Sequence, residues 1–224
     1  MNTGSLNIFE ESDLCRILGV SRETAKKLIV FVQCLQKWQN VTQLIAPNDM
    51  NHIWERHVFD SCQLSGLIDS DTKHILDFGS GGGFPGLVLA IIGVEKGWSL
   101  TLVESNSRKT EFLKYVSRET NINIHVMNKR FEDVSTDALS CPGYITARAV
   151  ASLSQLIEWS EKFLRQGSVG LFPKGKMFND EIKKAQSVFD FQYQIHNSRT
   201  DDHAAIIRVT MNIQESYEKD NETK

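Results

Sequence analysis

The chain has 224 residues, 41% hydrophobic and 24% charged, the balance of an ordinary globular protein with one sizeable α/β domain and an added element. No apolar run approaches the roughly 20 residues that span a bilayer, and MNTGSLNIFEESD has no basic stretch leading an apolar core, so neither a membrane span nor a signal peptide is expected. The formal net charge of −3 leaves no general positive field, and any nucleic acid would have to be met by a local basic patch.

Cys15, Cys34, Cys62 and Cys141 are scattered with no CxxC pair, so no metal site is expected, and free thiols suit a reducing cytoplasm. Residues 1–72 read as an N-terminal helical extension. Ser12 and Ser21 are its expected N-caps, and Leu28, Phe31, Val32, Leu35 and Trp38 recur at helical spacing to give one buried stripe. Pro47 restarts a helix carrying Ile53, Trp54, His57 and Val58.

From residue 73 to 212 short apolar runs alternate with amphipathic segments. HILDF (74–78), SLTLVE (99–104), INIHVM (122–127), YITARA (144–149) and SVGLFP (168–173) read as strands. Helices fit after Pro85, from a Ser107 cap through Arg118, between the last two strands and after Met177. FQYQIH and HAAIIRVTM read as a closing antiparallel pair. This alternation predicts an α/β doubly wound, Rossmann-like sheet with ligands at the carboxyl ends of its strands. Residues 213–224 read as a polar, disordered tail.

Residues 77–86, Asp-Phe-Gly-Ser-Gly-Gly-Gly-Phe-Pro-Gly, form a turn whose glycines let a ligand approach the backbone closely. Gly81, Gly83 and Gly86 fit the dinucleotide pattern GxGxxG, which keeps a nicotinamide cofactor as an alternative. Asp77 ends the first strand, where it would repel a pyrophosphate and attract the ammonium of a methionine moiety. Glu104 ends the second strand, where it can accept both hydroxyls of a ribose. Together these residues resemble motifs I and II of class I methyltransferases, which use S-adenosylmethionine (SAM).

The resemblance narrows along the chain. Asp77–Gly86, with Phe84 and Pro85 after the glycines, resembles motif I of the RsmG/GidB family. The segments Glu104-Ser105, Lys129–Asp133, Thr146–Ala149, Lys174-Gly175 and Arg56–Ser61 are similar to later boxes of that family in colinear order over roughly residues 30–210. Gln43-Leu44 departs from the family's usual Asn-Leu.

The resemblance implies SAM as cofactor and 16S rRNA or the small ribosomal subunit (precursor) as partner, with a monomer expected. It also implies methylation of guanine N7, at the guanine-527 position. A small-molecule methyltransferase and a non-catalytic SAM-binding assembly factor are the alternatives. The cofactor residues it implies are Asp77, Gly79, Gly81, Phe84, Glu104, Phe131, Glu132 and Arg148. Lys129, Arg130, Lys174 and Lys176 are the expected RNA-binding residues, facing away from the glycine turn. Arg56, His57 and Asp60 share a helical face and are expected to hold the extension against the cofactor loop. Guanine N7 carries an in-plane lone pair, so no acid or base residue is required.

Overall fold

The computed structural model describes residues 9–135, 139 and 141–212; the expected tail at 213–224 lies outside the described residues. The chain begins with α1 (Glu11–Leu18) and α2 (Arg22–Gln39). Ser21 caps α2 by accepting from the Thr24 amide at 3.1 Å. Ser12 does not cap α1. The Glu10 carbonyl already accepts from the Asp13 and Leu14 amides, so the helix starts at Glu11 with Ser12 inside its first turn.

Pro47 does restart helical backbone, but of changing pitch. A 3₁₀ segment (Pro47–His52) runs into a π turn (Trp54–Phe59), then α3 (Asp60–Cys62) and a second 3₁₀ segment (Gln63–Leu67). The π turn buries Trp54 and Val58, and the Arg56 carbonyl within it accepts from Arg148 at 2.8 Å.

The remainder alternates as expected: β1 (His74–Phe78), α4 (Gly86–Lys96), β2 (Ser99–Val103), α5 (Ser107–Thr120), β3 (Ile124–Met127), β4 (Tyr144–Ala147), α6 (Leu153–Leu164), β5 (Val169–Lys174), α7 (Phe178–Gln186), β6 (Gln192–Asn197) and β7 (Ala205–Thr210). Helix α5 is capped by Asn106, which accepts from the Arg108 and Lys109 amides and leaves Ser107 as its first residue. The strands form one sheet in the order β3-β2-β1-β4-β5-β7-β6. The first five are parallel, and β7 runs antiparallel to β5 and β6. Chain order reverses between β1 and β4, so the crevice of a doubly wound sheet opens at their carboxyl ends.

Buried side chains of the extension and of α4, α5 and the sheet make one apolar cluster, and α6 and α7 cover a second. Phe31 of α2 is fully buried between Phe84, at 5.1 Å between ring centroids, and Phe112, at 6.4 Å. The extension therefore rests directly on the glycine-rich turn. Phe31→Ala should cost roughly 3–5 kcal/mol of stability. Urea unfolding followed by far-ultraviolet circular dichroism should give a single, earlier transition. Two separated transitions, with the second unshifted, would mean that the extension and the sheet do not share a core.

Candidate functional site

Two turns meet at the crevice. The turn after β1 is anchored by the Gly79 and Ser80 amides, which both donate to the Val103 carbonyl. Gly79 and Gly81 have φ of +62° and +52°, conformations that L side chains rarely adopt. The turn after β2 carries Glu104, only 7% exposed. Its Oε2 accepts from the Gly81 amide at 2.9 Å and its Oε1 from the Asn106 amide at 2.7 Å. Asn128 donates to the Glu104 and Ser105 carbonyls, which fixes this turn to the end of β3.

The two turns border a cleft of about 440 Å³ with Gly79, Gly81, Glu104, Phe131 and Glu132 on its walls. At its far end Phe131 stacks on Trp159 at 5.0 Å and meets Phe78 edge-on at 4.0 Å. Lys109, Lys129 and Arg130 also line it. That corrects the expectation that Lys129 and Arg130 face away from the glycine turn, because the segment after β3 folds back over the turn after β2.

Asp77, Phe84 and Arg148 do not border this cleft. Asp77 is completely buried beneath the turn, where its Oδ1 accepts from Thr146 Oγ1 at 2.6 Å and its Oδ2 lies against Gly86 without a hydrogen bond. Any side chain at position 86 would overlap that oxygen. Phe84 packs between Phe31 and the His57 ring. Arg148, at the end of β4, donates to Asp60 Oδ2 at 3.0 Å, to the Arg56 carbonyl and to His57 Nδ1, and its guanidinium lies 5.4 Å from the Phe84 ring centroid. Asp77, Phe84 and Arg148 brace the turn from behind and tie the extension to it.

A second cleft, of about 760 Å³, opens where β4 and β5 end and is closed on one side by Asp49, Arg56, His57 and Asp60. Lys174 and Glu181 line it. Lys174 is a correction to the expected basic patch. Its side chain is 8% exposed, and its Nζ donates to Glu181 Oε2 and to the Ala151 carbonyl, both at 2.7 Å. Lys176 is exposed. Trp159, Asn106 and Asn128 were not singled out from sequence, since only tertiary contacts bring them to the site.

Burial pushes the Asp77 carboxyl up to about 6, partly offset by the hydrogen bond from Thr146. Burial, reinforced by Arg148, pushes His57 down to about 4. Asp77 thus adds stability at low pH that is lost as pH rises through about 6, whereas His57 adds stability at neutral pH that is lost as pH falls through about 4. Each contribution is about 3 kcal/mol and they oppose one another over the same window. Asp77→Asn should remove one of them. Relative to this variant, the wild type should gain about 2 kcal/mol as pH falls from 6 to 4, read from urea midpoints. A constant difference would mean that Asp77 titrates normally.

Comparison with known proteins agrees with this geometry. The family model described as GidB, rRNA small subunit methyltransferase G, matches residues 24–208. The ribosomal RNA small subunit methyltransferase G of Methylorubrum extorquens is 43% identical over 192 residues, covering 85% of this chain and 90% of that protein. That of Rhodospirillum centenum is 38% identical over 202 residues, covering 90% and 91%. Among solved structures, Aeropyrum pernix fibrillarin with natively bound SAM superposes with a TM-score of 0.52 at 17% identity, covering 70% of this chain and 75% of that one. The precorrin-6y C5,15-methyltransferase of Geobacter metallireducens gives 0.51 at 13% identity, covering 76% and 92%. These two likenesses show the shared class I methyltransferase fold. With the match to the family model and the identities to its members, the chain belongs to the GidB family, rRNA small subunit methyltransferase G.

Proposed function

We propose that this chain transfers a methyl group from SAM to N7 of a guanine in 16S rRNA of the small ribosomal subunit, at the guanine-527 position. As a member of its family the chain is a SAM-dependent rRNA methyltransferase. The observation that carries the cofactor half of the reading is the Glu104 carboxylate, held by two backbone amides with lone pairs left for a ribose.

The residues of the smaller cleft suit the cofactor. Its volume of about 440 Å³ lies in the range of small-molecule sites. A Cβ on Gly81 would meet only the Gly79 carbonyl, at 3.5 Å, so the turn leaves open space on the ligand side. The Phe131 ring offers an apolar surface for a purine, and Glu132 beside it can accept from the purine's amino group. SAM held there by Glu104, Phe131 and Glu132 would supply an electrophilic methyl group on a positively charged sulfur, with the neutral thioether as leaving group.

Guanine N7 loses no proton in this reaction, so the protein's task is alignment and exclusion of water. Thr146 and Asp77 keep the turn's floor rigid, and Arg148 with Asp60 holds the extension over it. Lys129, Arg130 and Lys176 are exposed and suit RNA phosphates.

Calorimetry should detect saturable binding of S-adenosylhomocysteine and none of NAD. Glu104→Ala should weaken that binding about 10- to 100-fold, the loss of a charge-assisted hydrogen bond. Binding of NAD in place of S-adenosylhomocysteine would overturn the cofactor assignment. For RNA, the Lys129→Ala, Arg130→Ala double variant should flatten the salt dependence of log K by roughly 0.7 per lost contact on single-stranded RNA. An unchanged slope would move the RNA to another surface.

A further inference from the structure

In the proposed function the cofactor occupies the smaller cleft, and the larger cleft shares a wall with it. Ala149 lines both, and it is held at φ +55°, a backbone strain that persists in a non-glycine residue only where its surroundings over-determine it. A ligand in the larger cleft would therefore reach the donor site across a single loop. At about 760 Å³ the cleft has room for a nucleotide.

Four carboxylates line the larger cleft, and one of them, Asp201, is exposed and accepts from the His203 amide within its own loop. Asp60 accepts from Gln63 and Thr200 on one oxygen and from Arg148 on the other. Asp49 faces Arg56 with one oxygen and His57 with the other. Glu181 differs. In the first turn of α7, its Oε2 accepts from Lys174 Nζ and from the Leu153 amide at the start of α6, each at 2.7 Å. Its Oε1 makes no hydrogen bond among the described residues, and the side chain is 27% exposed. Three elements thus hold one carboxylate still with one oxygen uncommitted on the wall of the cleft.

Of the four bases, guanine presents adjacent donors, N1–H and the N2 amino group, on the edge across the purine from N7. We propose that Glu181 is a specificity-determining residue that accepts from this edge, with the base lying in the larger cleft and N7 toward Ala149. This rests on guanine N7 being the methyl acceptor. Adenine, which presents the bare N1 acceptor on that edge, would set a lone pair against the carboxylate. The contact also strengthens during reaction. As N7 accepts the methyl group, positive charge spreads through the ring and N1–H becomes more acidic, so an anionic acceptor gains most in the transition state.

Glu181→Gln is a discriminating test, because Lys174 Nζ and the Leu153 amide are both donors. The glutamine oxygen stays with them and its amino group turns to the cleft, so structural contacts persist while an acceptor becomes a donor. The probes are reconstituted small subunits carrying guanine or inosine at the methylated position; inosine lacks only the N2 amino group. Wild-type kcat/KM should fall about 10-fold or more for inosine. Glu181→Gln should lower the guanine rate and bring the guanine-to-inosine ratio to within about twofold, as expected when the reading contact is lost. Loss of folded enzyme scales both rates equally and leaves the ratio intact. A ratio kept by the variant, or no discrimination by the wild type, overturns the role of Glu181. Failure of the wild type to methylate guanine overturns the functional reading beneath it.

Discussion

One carboxylate receiving two backbone amides organises the site. Glu104 follows directly after β2, and its two oxygens take the Gly81 amide of one turn and the Asn106 amide of the next. The contact is about 7% exposed, so its hydrogen bonds act in a medium far less screening than water. It presets the spacing of two turns that would otherwise move independently. Asn106 then extends the constraint by capping α5, and Asn128 extends it to β3. A small set of backbone-directed hydrogen bonds thereby converts the flexible glycine sequence into a fixed wall.

The opposite side of that wall is held by charge. Arg148 leaves the end of β4 and reaches the extension through Asp60, His57 and the Arg56 carbonyl, while its guanidinium faces Phe84. Arg148 and Asp60 are about 15% and 17% exposed, so breaking the pair from one side would strand a poorly solvated charge. The change of helical pitch through residues 47–67 brings these groups to one place. The extension therefore acts as more than a packing surface, because it supplies one boundary of the larger cleft.

Much of this was legible in the sequence where the cause is local. Alternating apolar runs gave the strands and helices within a residue or two, and the acid at the end of β2 stands on the glycine-lined cleft as its position implied. Residues whose surroundings come from distant segments were harder to read. Asp77 stands beside the glycines in sequence, but Thr146 and Gly86 enclose it below the turn. Lys174 looks like a free cation until Glu181, seven positions later, is folded back onto it by α7. Arg148 could have faced phosphate or Asp77, and only the π turn determines that it meets the extension. Ser12 and Ser107 satisfy the residue preference of a cap, yet the Glu10 backbone and the Asn106 side chain occupy those positions first. Residue type sets what a side chain can do, and tertiary enclosure decides which of those things it does.

Under the proposed function the chain methylates a single guanine of small-subunit RNA at N7. The most direct measurement incubates the protein with SAM and unmethylated small subunits, then treats the extracted RNA with borohydride and aniline, which cleave the strand at N7-methylguanine. Primer extension across the cleaved RNA should stop at one position, dependent on both protein and SAM. Incorporation of methyl groups without strand cleavage would place the modification on another atom and contradict N7 as the acceptor.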